Sequence, residues 1–260
     1  MRVFDFDSAI VRLPGASVVR GLRAGGGPDP DLHAFQREHT QYIAALEAAG
    51  LQVSVLEPLE AFADSVFVED PALVFPEGAV LLNLGADSRR GEAAALKPAL
   101  EARFGQVLAL EAGFADGGDA LVTPQTVYIG LSHRTDAAGA ADLKRKLAML
   151  GRDARVVETP DGVLHFKSAS TLIDHETVLT IPALAGSDVF KGLRTLIVPP
   201  GEDAAACVLR VNDVVLAAAQ FPRTLDLLAA HGLDVIPVPA TEVVKLDAGL
   251  TCMSLRWKTG

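Results

Sequence analysis

Five times along the 260 residues, a helix-patterned segment ends at a glycine and a β-type segment follows. The glycines are Gly50, Gly105, Gly151, Gly192 and Gly232, at intervals of 55, 46, 41 and 40 residues. Such spacing is that of a repeat architecture, in which each unit is one supersecondary element. Residues 31–49 place Leu32, Phe35, His39, Ile43 and Leu46 on one helical face. Residues 92–104, 136–150 and 223–231 read as helices too, the last opened by Pro222, and 187–191 is a weaker candidate. The β-type segments after the glycines are 51–56, 106–110, 154–157, 193–198 and 233–238. Further short β runs, such as 120–123 with 126–130 and 208–211 with 214–218, fall between each such strand and the next helix.

The units are therefore of strand-strand-helix-strand type. An open doubly wound sheet also alternates strands and helices. More than one strand per helix, and the absence of a Gly-x-Gly-x-x-Gly turn, favour five units around a centre. The expectation is an α/β fold, a five-fold pseudosymmetric α/β propeller, with residues 1–260 as a single domain. Half the residues are hydrophobic and 22% are charged, which excludes a disordered chain. A formal charge of −10 argues against nucleic acid, whose binding needs a basic stripe. No apolar run reaches the roughly 18–20 residues of a spanning helix, so no membrane partner is expected. The start, Met1 to Asp7, is interrupted by acids and does not read as a signal peptide. With two cysteines only, a reducing, cytoplasmic setting is expected. Gly25 to Gly27 read as an exposed, mobile loop.

Just after the repeated strand, the units carry polar or reactive residues: Asp64, Glu69 and Asp70; Asp116 and Asp119; His165; Cys207; Asp247 and Cys252. Around an axis these would converge on one pocket, as a thiol nucleophile, its acid/base and an orienting carboxylate must. Taken singly, most have bland readings. Cys207 lies in an apolar run and reads as a structural thiol, and so by itself does Cys252. His165 alone suits a satisfied core position, and Asp116-Gly117-Gly118-Asp119 a tight turn. Residues 62–71 read as a strand with acids at both ends, stopped by Pro71, equally a cation-binding wall or a solvated edge. Arg89 and Arg134 stand just before helices, where solvated basic turns are common but anions also bind. No Cys-x-x-Cys or His-Glu-x-x-His spacing points to a metal.

In order along the chain, 18–22, 64–70, 88–92, 116–119, 131–135, 164–167 and 246–256 resemble segments of the dimethylarginine dimethylaminohydrolases. These belong to the guanidine-modifying superfamily with a five-fold α/β propeller. The resemblance implies Cys252 as nucleophile, His165 as general acid/base and Asp116 as its supporting carboxylate. It implies Glu69 and Asp70 at the guanidinium wall, and Arg89 and Arg134 at the substrate α-carboxylate. Leu22 (through its backbone) and Asp64 fall at the α-amino end, with Leu246 and Asp247 lining the substrate. Arginine deiminases carry His-x-Asp, whose acid grips unsubstituted guanidinium nitrogens; here the motif is His165-Phe166-Lys167. Losing that acid favours an N-methylated arginine, since a site built for free N–H discriminates by about 10⁴–10⁵. Asp247-Ala248-Gly249 departs from the Gly-Gly pair often seen there.

The implied reaction yields citrulline and dimethylamine through a covalent thiouronium, with no cofactor and no catalytic metal. Zinc could inhibit by capturing Cys252 and His165. The partner is a small methylated arginine, and a homodimer is compatible with the sequence. Two alternatives stay open. One is another guanidine or amidine hydrolase of the superfamily, such as an arginine deiminase. The other is a non-catalytic propeller, such as a ribosome anti-association factor.

Overall fold

The computed structural model describes residues 3–24, 26–160 and 162–260. Met1, Arg2 and Gly25, on which parts of the sequence reading fall, lie outside them; Gly26 and Gly27 are exposed. The chain runs β1 (Ser8–Arg12), α1 (Leu32–Ala48), β2 (Gln52–Leu56), then β3 (Ala72–Phe75), β4 (Gly78–Leu81), α2 (Glu92–Glu101) and β5 (Val107–Ala109). Next come β6 (Ala120–Val122), β7 (Val127–Leu131), α3 (Ala137–Met149) and β8 (Ala154–Glu158). The fourth unit is β9 (Ser170–Leu172), β10 (Thr177–Thr180), α4 (Pro182–Ala185) and β11 (Arg194–Ile197). The last elements are β12 (Leu209–Val211), β13 (Val214–Ala218), α5 (Pro222–Ala230), β14 (Asp234–Val238), α6 (Thr241–Val244) and β15 (Ser254–Trp257).

These strands form five three-stranded sheets, each with an antiparallel inner pair and a parallel outer pair. The middle strand leads through the helix to the parallel outer strand, the short crossover that parallel pairing demands. Four sheets use consecutive strands. The first is completed by β15 from the far end of the chain, with Ser8 opposite Trp257 and Val11 opposite Ser254. Inner strands are mostly buried, whereas outer strands such as β11 are largely exposed. The expected five-fold α/β architecture is what the structure shows.

Local physics sets most boundaries. Asp31 and Asp136 cap α1 and α3, their side chains accepting from Ala34 N–H and Gly139 N–H. Pro222 takes the first turn of α5. Gly50, Gly151, Gly192 and Gly232 adopt φ of 95°, 72°, 96° and 85°, the left-handed stop that glycine makes cheap. The fifth expected stop, Gly105, is not among the positive-φ glycines, because α2 ends four residues earlier at Glu101. Residues 187–191 contain only a 3₁₀ turn, Asp188–Phe190, with α4 just before it. The stretch 62–71 is a correction: it folds as successive turns, with Phe67 N–H donating to Asp64 O and Asp70 N–H to Phe67 O, and the strand starts at Ala72. No helix among the described residues is long and apolar enough to cross a membrane.

Apolar clusters fill the space between neighbouring units. One gathers Phe35, Tyr42 and Leu46 of α1 with Leu246, Leu250, Cys252 and Met253. Each such side chain, fully buried, contributes roughly 1.5–3 kcal/mol. His39 belongs to the same buried face, 1% exposed, and neither ring nitrogen has a hydrogen-bond partner. Burial pushes its pKa down to about 4. The unfolded chain takes up that proton near pH 6.5, so stability is full above that pH and falls as pH drops toward 4. The loss at its largest is about 3 kcal/mol. His39→Phe is expected to reduce the fall in urea midpoint between pH 7 and pH 4.5; an unchanged pH dependence would sink this account.

Candidate active site

The residues singled out in the sequence come together where the chain enters the inner strands. Each entry is a turn: 64–70 before β3, Gly117–Asp119 before β6, Phe166–Ser168 before β9, Asp203–Ala206 before β12 and Leu250–Met253 before β15. Asp70, Asp116 and His165 lie with ligating atoms within 4.8 Å of one another, all buried. They come from three separate units.

Asp116, fully buried, is held on both oxygens. Oδ1 accepts from Gly85 N–H at 2.9 Å, and Oδ2 faces His165 Nε2 at 3.1 Å. Asp119 fixes the loop that carries the imidazole. Its Oδ1 accepts from Phe166 N–H at 2.8 Å, and its Oδ2 from the Ser132 and Thr135 hydroxyls, both at 2.7 Å. Gly118 lies against the ring, where a β-carbon would stand 2.9 Å from His165 Cγ and 2.8 Å from Asp70 Oδ1. Burial alone would lower the His165 pKa. The charge on Asp70, the Asp116 hydrogen bond and the charge on Asp119 outweigh it and raise the value to about 9. The ring is therefore an imidazolium at neutral pH.

Asp70 is the shared neighbour. Its Oδ2 pairs with Arg89 Nη1 at 2.5 Å and its Oδ1 accepts from Gly118 N–H at 3.1 Å. Burial works against its ionisation, but Arg89 and His165 hold its carboxyl below the usual range. Glu69 is occupied differently. One oxygen meets Lys167 Nζ and, at 2.9 Å, Arg256 Nη2, and the other is buried without a partner. Arg256 also donates to Thr251 O at 3.1 Å and Ser254 O at 2.6 Å, so it braces the turn bearing Cys252. Glu69 N–H donates to Cys252 O at 3.1 Å, joining that turn to the acid-rich one. The inner strands surround an axial cavity of about 170 Å³, which Glu69, Lys167, Thr251 and Arg256 also line.

Cys252 and Cys207 are both buried, and each is 7% exposed. Their thiols interact, each shifting the other's protonation. The Thr251 hydroxyl lies 3.3 Å from the Cys207 sulfur and 4.0 Å from that of Cys252. The neighbouring Cys207 thiol, burial, and the charges of Cys207, Glu69 and Asp70 push the Cys252 thiol well above its ordinary value. Cys207 is thus more than the plain core thiol its apolar run suggests, and nothing local in the sequence signals the pairing. The departure at Ala248 leaves the backbone unstrained, since φ is not positive there. Gly249 is the indispensable one, because a β-carbon on it would come 2.5 Å from the Cys207 sulfur.

At the other end of the site, Leu22 N–H donates to Asp64 Oδ1 at 2.9 Å. Asp64 is buried, and burial raises its pKa. Leu246 is buried beside Gly21. Asp247 is exposed, and its carboxylate accepts from Ala24 N–H. Arg134 lies 3.6 Å from Asp116 Oδ2, and its Nη1 is buried with no hydrogen-bond partner.

Residues 32–168 match the family described as N,N dimethylarginine dimethylhydrolase, eukaryotic. Over 254 residues the chain is 35% identical to the N(G),N(G)-dimethylarginine dimethylaminohydrolase of Pseudomonas aeruginosa, covering 97% of this chain and all of that one. The chain belongs to the dimethylarginine dimethylaminohydrolase family. The Streptomyces coelicolor member is 36% identical over 252 residues, covering 95% and 96% of the two chains. A solved structure of the Pseudomonas enzyme, a cysteine-to-serine mutant complexed with citrulline, superposes with a TM-score of 0.94 at 34% identity, covering 97% of this chain and all of that one. The N-terminal domain of ArgZ, an arginine dihydrolase from cyanobacteria, shares the fold at a TM-score of 0.85 and 18% identity, with 97% and 98% covered.

Arg89, expected at the substrate α-carboxylate, is held among the acids of the wall. It is 3% exposed and each of its nitrogens meets an acceptor: Nη1 on Asp70; Nε and Nη2 on Glu92 at 3.0 and 2.7 Å; and Nη2 also on Asp64 O and Phe67 O at 3.2 Å. In this arrangement it holds up the wall, and one of its two Nη1 N–H groups has no acceptor among the described residues. Glu92, missed in the sequence, is buried and completes the cluster. Arg89→Met would strand Asp70 and Glu92 as buried unpaired acids. The expected cost is about 3–5 kcal/mol in chemical denaturation. A variant of wild-type stability with only a raised KM would restore Arg89 as a direct ligand.

Proposed function

We propose that this chain hydrolyses N-omega-methylated arginine to citrulline and dimethylamine, with residues 1–260 acting as one catalytic unit. The observation that carries this reading is the Asp70-centred group: a buried carboxylate whose charge acts on His165 and on Cys252 together. The family relatives and their citrulline complex support it.

A guanidinium is a planar, resonance-stabilised cation and a poor electrophile. Asp70 offers it a negative charge in a dry site, where a localised charge interacts strongly. Glu69 is neutralised by Lys167 and Arg256, so its role is to close the site beneath the substrate. That arrangement favours a guanidinium with fewer N–H donors, hence a methylated arginine over arginine. Arg134, with an unsatisfied buried donor, is the residue for the α-carboxylate. Asp64 and the Leu22 backbone serve the α-amino end, with Leu246 alongside.

Before substrate binds, Cys252 is a protonated thiol. The arriving cation favours the thiolate, and the thiol proton passes to solvent. The sulfur then forms a bond to the guanidinium carbon. The His165 imidazolium donates its proton to the departing nitrogen as the C–N bond breaks, and dimethylamine leaves. The product is a thiouronium on Cys252. Neutral His165 next takes a proton from water, the hydroxide adds to the same carbon, and C–S cleavage releases citrulline as the hydroxyl proton returns to the departing sulfur. Asp116 orients the ring through both proton transfers. These steps need neither cofactor nor metal. Zinc bridging Cys252 and His165 would inhibit.

The assay is citrulline formation from asymmetric dimethylarginine against arginine. Turnover of the first and little of the second is expected; faster turnover of arginine would refute the substrate class. Cys252→Ser is expected to remove both turnover and adduct formation, and an active variant would overturn the nucleophile. Because His165 must enter protonated, kcat is expected to fall as pH rises through about 9. A rate still climbing beyond pH 10 would remove His165 from the acid role.

A further inference from the structure

Asp247 stands where the family resemblance puts a substrate-lining residue, but its carboxylate is committed elsewhere. Oδ2 accepts from Ala24 N–H at 2.6 Å, across 223 residues of sequence. The backbone at Asp247 is in the left-handed region, with φ of 54°. Glycine adopts that conformation freely, and aspartate is among the few residues with a β-carbon that adopt it readily. Aspartate tolerates that backbone shape but is not required by it, so the contact to Ala24 is what distinguishes it from glycine there.

The segment it holds borders the site. Two residues before Ala24, Leu22 N–H is taken by Asp64 Oδ1. Gly21 is wedged between them and the next wall, since a β-carbon on it would lie 3.1 Å from Asp64 Oδ1 and 3.1 Å from both Leu246 methyls. Alternate backbone N–H groups are thus held by carboxylates from two different units. Further on, Asp31 N–H, at the start of α1, donates to Glu242 Oε2 of α6 at 2.6 Å. The helix that leads into Asp247 therefore also fixes where α1 begins. Glu38 of α1 returns the contact, accepting from Glu242 N–H at 2.9 Å.

We propose that Asp247 is a positioning residue: its carboxylate clamps the 21–24 segment against Asp64 and Leu246, shaping the end of the site that reads the substrate's α-amino group, without itself touching substrate. This rests on the function proposed above. The clamp predicts a loss in binding with the chemical step intact, because Cys252 and His165 keep their own supports.

Two substitutions separate the clamp from the backbone conformation. Asp247→Gly relaxes the left-handed φ and removes the acceptor. Asp247→Asn tolerates the same φ and keeps an oxygen for Ala24 N–H. The expected result is a KM for asymmetric dimethylarginine raised about tenfold in the glycine variant, with kcat within about twofold. The asparagine variant stays near wild type. A second readout needs no substrate: the rate at which trypsin cuts the native protein after Arg23. It should rise severalfold in the glycine variant and return in the asparagine variant. A glycine variant with wild-type KM and wild-type cleavage overturns the clamp, as does a fall in kcat with KM and cleavage unchanged. If the wild type fails to turn over dimethylarginine, the proposed function fails, while the trypsin comparison still decides the clamp.

Discussion

The buried ion pair between Asp70 and Arg89 is the interaction on which the site's chemistry depends. A carboxylate so deeply buried would ordinarily take up a proton. Arg89 keeps it charged, and Glu92 in turn compensates the guanidinium. From that one stabilised anion follow the elevated His165 and part of the elevation of Cys252. In the proposed roles, His165 is ready as the acid before substrate arrives and Cys252 is not yet the nucleophile, which suits a substrate that brings a positive charge of its own. Such a cluster adds little net stability, but breaking it is costly.

Around this pair the acids divide their labour. Asp116 and Asp119 orient His165, one through the ring and one through the loop beneath it. Glu69 is spent on Lys167 and Arg256, tying the turn that bears Cys252 to the fourth unit. The net charge of −10 is therefore a poor guide to the pocket, because the buried acids near Cys252 are mostly matched by buried bases.

Much of the architecture was legible because it rests on local rules. The amphipathic helices, their Asp31 and Asp136 caps and four left-handed glycine stops can be read from short windows. The sequence misled where partners are distant. Residues 62–71 carry apolar side chains on consecutive positions, which reads as a strand. Those side chains are buried on several sides of a chain of turns, a pattern with no period. α6 has four residues and is capped by Glu38 from α1, so no local signal announces it. The site residues were legible as a set through their family resemblance and their place after each repeated strand. Their individual duties were not. Nothing local announces that Arg89 is also held by buried Asp70 and Glu92, or that Cys207 interacts with Cys252.

The ring of five sheets is shut by β15 lying along β1, and the nucleophile's turn leads directly into that last strand. No covalent bond holds the seam. Reactivity is consequently a property of the closed circle, with no fragment of it carrying a share. An enzyme built at a cleft between two lobes can keep partial binding when one lobe loosens. Here, opening any one unit separates an acid from its base or the sulfur from its anchors, so activity should vanish with the first cooperative step of unfolding.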